Sequence, residues 1–139
     1  MGKLHRILLI AALAVAAPSI WAATPCYGVD RGITNERKAA LGPGIARQLN
    51  VMHVDVLESW QFGGWSIIYV DTHESDDAFL FYSHDALTSP YLTLWGGVAT
   101  PDEEREVKDW TLKNAPGIPP RLADCFAWHV THDRGSRSN

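Results

Sequence analysis

Histidines stand beside acidic residues at several points of this chain. The pairs are His53 with Asp55, His73 with Glu74, His84 with Asp85, and His132 with Asp133. Imidazole together with carboxylate is a ligand set that suits zinc or copper. One hypothesis is therefore a metal site built from His53, Asp55, His73 and His84. The alternative, which the sequence favours, is ordinary surface histidines or histidines with satisfied hydrogen bonds, with no metal and no other cofactor.

Two cysteines, Cys26 and Cys125, are the other reactive side chains, and they are 99 positions apart. An even cysteine count in an exported chain favours a disulfide. Closing a loop of that length is worth roughly 4–5 kcal/mol on the chain-entropy model. The rival interpretation makes Cys125 a nucleophile with His129 as its base. Export and the lone partner cysteine favour the Cys26–Cys125 disulfide.

Negative charge is concentrated in the middle of the chain. From Gln48 to Glu104 there are ten acidic residues and no Lys or Arg. Such a segment either keeps the protein soluble or attracts a basic partner. Aromatic side chains that flank predicted turns would anchor that partner if exposed, and would be core if buried. The predicted partner-binding residues are Trp60, Phe62, His73, Glu74, Asp76, Asp77, His84 and Asp85.

The function that these observations favour is an exported binding protein. It would be an inhibitor or immunity-type protein that neutralises a basic cell-wall hydrolase or toxin. The net charge of -4 argues against nucleic acid as a partner. No nucleophile-elbow, zinc-protease or nucleotide-binding motif is present, so no catalytic residue is assigned. A periplasmic metal-binding protein and a small hydrolase with an unrecognised site remain alternatives, and homo-oligomerisation stays open.

The first residues have the layout of a secretory signal peptide. Lys3 and Arg6 precede an uncharged run, Pro18 breaks it, and Ala22 and Ala23 follow. The run is shorter than the roughly 20 residues that a membrane span needs. We therefore expect a cleaved signal over 1–23, a single domain over 24–133 and a flexible tail over 134–139. The mature chain would be periplasmic or secreted, free of the membrane, with a net charge of 10 − 16 = -6.

Hydrophobic periodicity predicts the elements that position these side chains. Thr34 is expected to cap a helix that Gly42-Pro43-Gly44 divides into two short pieces. A second helix is predicted after Thr100, because Pro101 and Glu103 complete a capping box. Alternating or apolar runs predict strands at 51–56, 65–70, 78–82 and 91–95, and a final strand at 125–132. We expect a turn at Gly63-Gly64.

The predicted fold class is α+β. Short strands joined by short polar links indicate an antiparallel β-meander of four to five strands. The two predicted helices would pack on one face of that sheet. In a strand, His53 and Asp55 would share one face, whereas His129 and His132, three residues apart, would point to opposite faces.

Overall fold

The computed structural model describes residues 24–133. The predicted signal peptide (1–23) and tail (134–139) lie outside the described residues. The strands are β1 (Asp55–Phe62), β2 (Trp65–Asp71), β3 (Ala78–Tyr82) and β4 (Thr93–Gly96). The helices are α1 (Asn35–Leu49), α2 (Glu104–Asn114) and α3 (Pro120–Trp128), with a 3₁₀ turn at Pro101–Glu103 and a π-helical turn at His129–Asp133.

The sheet is an antiparallel meander with the order β1-β2-β3-β4. The Gly63-Gly64 turn joins β1 to β2, and both glycines have positive φ, 59° and 81°. A two-residue hairpin turn with positive φ at both central positions favours glycine, which explains the pair. A bulge between Val56 and Glu58 shifts the register of β1 against β2. The register decides which side chains meet at the ends of the hairpin.

Successive residues of the central strands point to opposite faces, and both faces are buried. Ile67, Phe79 and Phe81 pack against α2 and α3. Ile68 and Leu80 belong to the cluster that α1 covers on the other face. The α+β class with an antiparallel sheet and two helices on one face is confirmed. The pair on one face is α2 with α3, however, and α1 lies on the opposite face.

Helix α1 is continuous, so the predicted division into two pieces is wrong. Thr34 caps it as expected, because its Oγ1 accepts a hydrogen bond from the Arg37 amide at 3.1 Å. Pro43 lies inside the helix. The buried residues Leu41 and Ile45 hold the helix together across Pro43, since their packing on the sheet offsets the poor local helix propensity.

The predicted final strand at 125–132 is also wrong. That segment continues α3 into the π-helical turn, and the sheet keeps four strands within residues 24–133. Leu122, Phe126 and Val130 recur at intervals of four and are buried, which is the period of a helix rather than a strand. Residues at spacing i, i+4 such as His129 and Asp133 therefore share one face instead of alternating.

The expected disulfide between Cys26 and Cys125 is present. It joins the segment before α1 to the buried middle of α3. None of the helices within 24–133 is long and apolar enough to cross a membrane.

Candidate functional site

The predicted partner-binding residues do not form one surface. Trp60 is 1% exposed and belongs to the core, so the core alternative holds for this side chain. Phe62, His84 and Asp85 lie together at the end of the sheet that carries the Gly63-Gly64 turn, which we call the hairpin end. They line one groove there. The turn that carries His73, Glu74, Asp76 and Asp77 joins β2 to β3 at the opposite end. The two groups are separated by the strand length from Ser66 to Asp71, about 17 Å.

The stretch from Gln48 to Glu104, which has no Lys or Arg, is called the base-free segment. Two of its ten acids form ion pairs with arginines from outside it. Arg31 donates to Glu58 at 2.9 Å, and Arg37 donates to Asp85 at 2.9 Å. The region of uncompensated negative charge is therefore smaller than the sequence predicted. It lies mainly at the end of the sheet opposite the hairpin.

Three of the four predicted metal ligands meet at that end. Asp55 Oδ1 lies 2.9 Å from His53 Nε2, and Asp55 Oδ2 lies 2.7 Å from His73 Nε2. One ligand atom from each residue falls within 4.8 Å of the others, and all three residues are exposed. The two imidazole rings stack with centroids 5.6 Å apart. We call His53, Asp55 and His73 the His-Asp-His cluster; His84, at the hairpin end, is not part of it.

The sheet register and one backbone conformation create this cluster. Asp55 begins β1 and pairs across the ladder with Asp71, the last residue of β2. The chain then turns through His73, which has a positive φ of 60°. This left-handed conformation is uncommon for a residue with a side chain, although histidine adopts it more readily than most. It places the His73 ring beside Asp55, eighteen positions earlier in the chain.

Asp71 fixes both the backbone and the ring of His73. Its Oδ1 accepts a hydrogen bond from the His73 amide at 2.7 Å. Its Oδ2 lies 3.4 Å from His73 Nδ1. The two ring nitrogens of His73 therefore face two different carboxylates, Asp71 and Asp55. The contact of Nδ1 with Asp71 therefore fixes the orientation of the ring while Nε2 faces Asp55.

Hydrogen bonds within the turn after β2 hold the cluster in place. Thr72 is buried, and its Oγ1 accepts from the Ser75 amide at 3.2 Å. Glu74 Oε1 accepts from the Met52 amide at 3.4 Å, which ties the turn to the segment carrying His53. Tyr69 donates its hydroxyl to Asp77 at 2.7 Å. Both segments of the cluster are thus tied to one another and to β2.

The charged forms of Asp55 and His73 stabilise each other. Hydrogen bonds from His53 and His73 hold the pKa of the Asp55 carboxyl below its ordinary value of 3.8. The hydrogen bond to Asp55, with the nearby charge of Asp71, raises the pKa of His73 above its ordinary value of 6.5. One nitrogen of each imidazole thus lies within hydrogen-bond distance of the carboxylate. A cation could lie between these atoms.

The cluster matches the chemistry of a three-ligand metal site. Zinc ligands at about 2.1 Å from the ion in a tetrahedron are about 3.4 Å apart. The observed oxygen–nitrogen separations of 2.9 and 2.7 Å are shorter than this, so the side chains would move apart around a bound ion. Three protein ligands would leave a coordination position open.

A second histidine site was missed because its segment was predicted as a strand. His129 Nδ1 lies 3.1 Å from Asp133 Oδ2, and His129 Nε2 lies 3.9 Å from Glu58 Oε2. Helical spacing would have predicted the first contact, since the residues are four apart. This arrangement gathers a histidine with two carboxylates, as the hydrolase alternative requires. His129 is only 3% exposed, however, and its ring packs against Trp60 at 4.6 Å.

Arg31 gives this second group a structural role. It donates to Glu58, lies 3.9 Å from Asp133, and places its guanidinium 4.7 Å from the centre of the Trp60 ring. The network joins the segment before α1, the strand β1 and the C-terminal turn. The Cys125 nucleophile is excluded because its sulfur is in the disulfide. The exposed His-Asp-His cluster is therefore the better candidate site.

Comparison of the chain with protein-family models, with curated proteins and with solved structures finds no match.

Proposed function

We propose that this protein binds a divalent metal ion, zinc or copper, at the His-Asp-His cluster, and that it does so as an exported protein. The observation that carries the proposal is the convergence of His53, Asp55 and His73 on one exposed point. Two imidazoles and one carboxylate are ligands that zinc and copper accept. The metal would take the place of the hydrogen bonds that the two histidines now make with Asp55.

The position of Asp71 supports the same function. Histidines that bind metal nearly always donate their second ring N–H to a carboxylate, a carbonyl or a water. With a metal on His73 Nε2, the Nδ1–H would donate to Asp71 Oδ2, which lies 3.4 Å away.

The disulfide supports export, because disulfides persist in oxidising compartments such as the bacterial periplasm. An exported protein would therefore keep its disulfide, and with it the intact fold, while it binds metal. Finer localisation, periplasmic or secreted, is part of the proposal.

Calorimetric titration of the untagged protein with Zn²⁺ and with Cu²⁺ tests the proposal. We expect one metal ion per chain and release of protons on binding. Asp55→Asn should abolish binding, because it removes the only carboxylate of the cluster. His84→Ala is the matched control, since His84 is exposed but lies at the hairpin end. Absence of binding in the wild-type protein, or equal loss in His84→Ala, would overturn the proposal.

A basic protein partner is the second candidate, in the inhibitor or immunity-type role expected from the sequence. The observation that favours it is the turn after β2, where Glu74 and Asp76 are exposed and no Lys or Arg is present. Such a one-sign surface speeds the encounter with a positively charged protein.

The test begins with capture from an envelope extract at low and high salt, and continues with the purified partner. Glu74→Gln with Asp76→Asn should weaken that binding, and the weakening should shrink at high salt. Glu106→Gln, an exposed acid on α2, is the control. A partner that binds both variants equally would rule out this surface.

A further inference from the structure

A groove runs beside the His-Asp-His cluster, between α1 and the outer edge of β1. Its volume is about 620 Å³, within the range of pockets that hold small organic ligands. Its walls are mostly apolar, and it includes two members of the cluster. The lining side chains on which the argument depends are Lys38, Ala39, Pro43, His53, Asp55 and Leu57.

Helix α1 has an unusual composition where it forms the wall of this groove. Gly42, Pro43 and Gly44 lie in the helix interior, where glycine and proline are the least favourable residues. Gly42 has a packing reason, since a Cβ there would lie 3.1 Å from the Val54 carbonyl oxygen. Pro43 has none of this kind, because it is exposed. Departures from local preference of this sort are expected at functional sites.

Pro43 also changes the hydrogen bonding of the groove wall. Proline has no N–H, so the carbonyl of Ala39 loses its ordinary helical donor four residues later. Ala39 and Pro43 both line the groove. Ala39 and Pro43 thus contribute apolar surface to this wall.

We infer that the groove binds a small amphiphilic anion that completes the coordination of the metal, an inference that rests on the proposed metal-binding function. The ligand has an apolar body and an anionic oxygen. Its body lies along Ala39, Pro43 and Leu57. Its oxygen donates a lone pair to the open metal position and displaces a water there, so no covalent bond is made or broken in the ligand.

The charges require metal and ligand to bind together. Without a metal, Asp55 and the nearby Asp71 present negative charge at this end of the groove and repel an anion. A divalent ion neutralises these two carboxylates, and Lys38 adds a positive charge on the wall. The anion should therefore bind much more weakly to the metal-free protein.

Two hydroxamates that differ only in chain length separate groove binding from simple metal binding. Octanohydroxamate and acetohydroxamate have the same metal-binding group, and each buried methylene adds about fourfold in affinity. We expect octanohydroxamate to bind the zinc-loaded protein at least about tenfold more tightly than acetohydroxamate. Metal-free protein should bind octanohydroxamate at least about tenfold more weakly than the zinc-loaded form does. Calorimetry measures all three affinities, and metal analysis afterwards checks that zinc stays bound.

Filling the groove tests its location. Ala39→Leu places a larger side chain in the groove and is compatible with a helix. It should remove the advantage of octanohydroxamate while leaving acetohydroxamate and zinc binding unchanged. Ala40→Leu is the matched control, because Ala40 is exposed on α1 but lies outside the groove lining.

The outcomes distinguish this inference from the proposed metal-binding function on which it rests. Failure of zinc to bind overturns both. Zinc binding with equal affinity for the two hydroxamates, or an unchanged preference in Ala39→Leu, overturns the groove inference alone.

Discussion

Asp71 is a positioning residue for the proposed metal site, since it holds His73 without being a ligand itself. Asp71→Asn keeps an acceptor for the His73 amide but removes the charge that faces His73 Nδ1. Loss of such an outer carboxylate typically costs 10–100-fold in metal affinity. We expect a zinc dissociation constant raised by that factor, measured by competition with a chelating dye.

Asp76→Asn is the control for this variant. Asp76 is an exposed acid of the same turn, so the change removes equal charge without touching His73. Equal weakening in both variants would mean that general electrostatic attraction, rather than orientation of the ring, determines the affinity.

The Asp55–His73 pair gives the stability of the metal-free protein a defined pH dependence. The lowered pKa of Asp55 stabilises the fold above pH 3.8, and that contribution is lost as the pH falls through the folded pKa. The raised pKa of His73 stabilises the fold below pH 6.5, and that contribution is lost as the pH rises through the folded pKa. The contribution of the pair should therefore be greatest between pH 3.8 and 6.5.

Urea unfolding of wild-type protein and Asp55→Asn from pH 3 to pH 9 measures this contribution. The difference in free energy of unfolding should rise and fall across the range, with its maximum between the two values. NMR titration should also find a lower His73 pKa in Asp55→Asn. A difference that does not vary with pH would contradict the coupling.

The cluster was partly predictable at the level of single residues. The strand predicted at 51–56 was wrong, since β1 begins only at Asp55, but the expected closeness of His53 and Asp55 is found. His73 joins them because Asp55 pairs with Asp71, and that register depends on the bulge between Val56 and Glu58. No local pattern in the sequence reveals the bulge. His84 looked equivalent to His73 in sequence, since each precedes an acid, but it lies at the other end of the sheet.

At the level of elements, the two interior glycines of α1 should respond oppositely to substitution. A Cβ at Gly44 would meet only the end of the Arg47 side chain at 3.8 Å. Gly44→Ala should stabilise the protein by about 0.5–1 kcal/mol, because alanine loses less backbone entropy on folding. Gly42→Ala should destabilise it, because the Val54 carbonyl at 3.1 Å is backbone and cannot move aside cheaply.

Urea unfolding at neutral pH measures both glycine variants, and each serves as the control for the other. The opposite signs test whether α1 is one continuous helix packed closely on the segment before β1. If Gly44→Ala destabilises as much as Gly42→Ala, the helix is interrupted at Gly42-Pro43-Gly44, as the sequence alone predicted.

The central strands were predicted well and the last helix was not, because short apolar runs were interpreted as strands in both places. The prediction of β3 at 78–82 matches its bounds, because a short apolar run between polar turns fits a strand buried on both faces. The run at 125–132 has similar residues, but it continues a helix that begins with Pro120. Proline at the first helical position was the available signal, since Leu122, Phe126 and Val130 follow it at intervals of four.

Considered as a whole molecule, the protein distributes its charge less unevenly than its sequence. Arg31 and Arg37, which precede the base-free segment, pair with Glu58 and Asp85 within it. These pairings connect parts of the chain that are 27 and 48 residues apart. Contacts of that range follow from the packing of α1 and the N-terminal segment on the sheet. Sequence composition could not reveal them.

The disulfide should provide a large share of global stability. It joins residues 99 positions apart, so cross-linking removes much of the freedom of the unfolded chain. On the chain-entropy model this is worth about 4–5 kcal/mol. We expect the Cys26→Ala, Cys125→Ala double variant to lose about 2–5 kcal/mol of unfolding free energy in urea. Zinc affinity of the folded variant should be unchanged, because the His-Asp-His cluster forms where β1 begins and β2 ends, and the disulfide joins neither strand.

Reduction of the wild-type protein separates the cross-link from the packing of Cys125. Cys125 is fully buried, so its replacement by alanine also removes a sulfur from the core. Wild-type protein unfolded in urea with dithiothreitol keeps both sulfurs and loses only the bond. If the entropic argument holds, the reduced protein should lose nearly as much stability as the double variant. A reduced protein as stable as the oxidised one would place the loss in the core packing around α3.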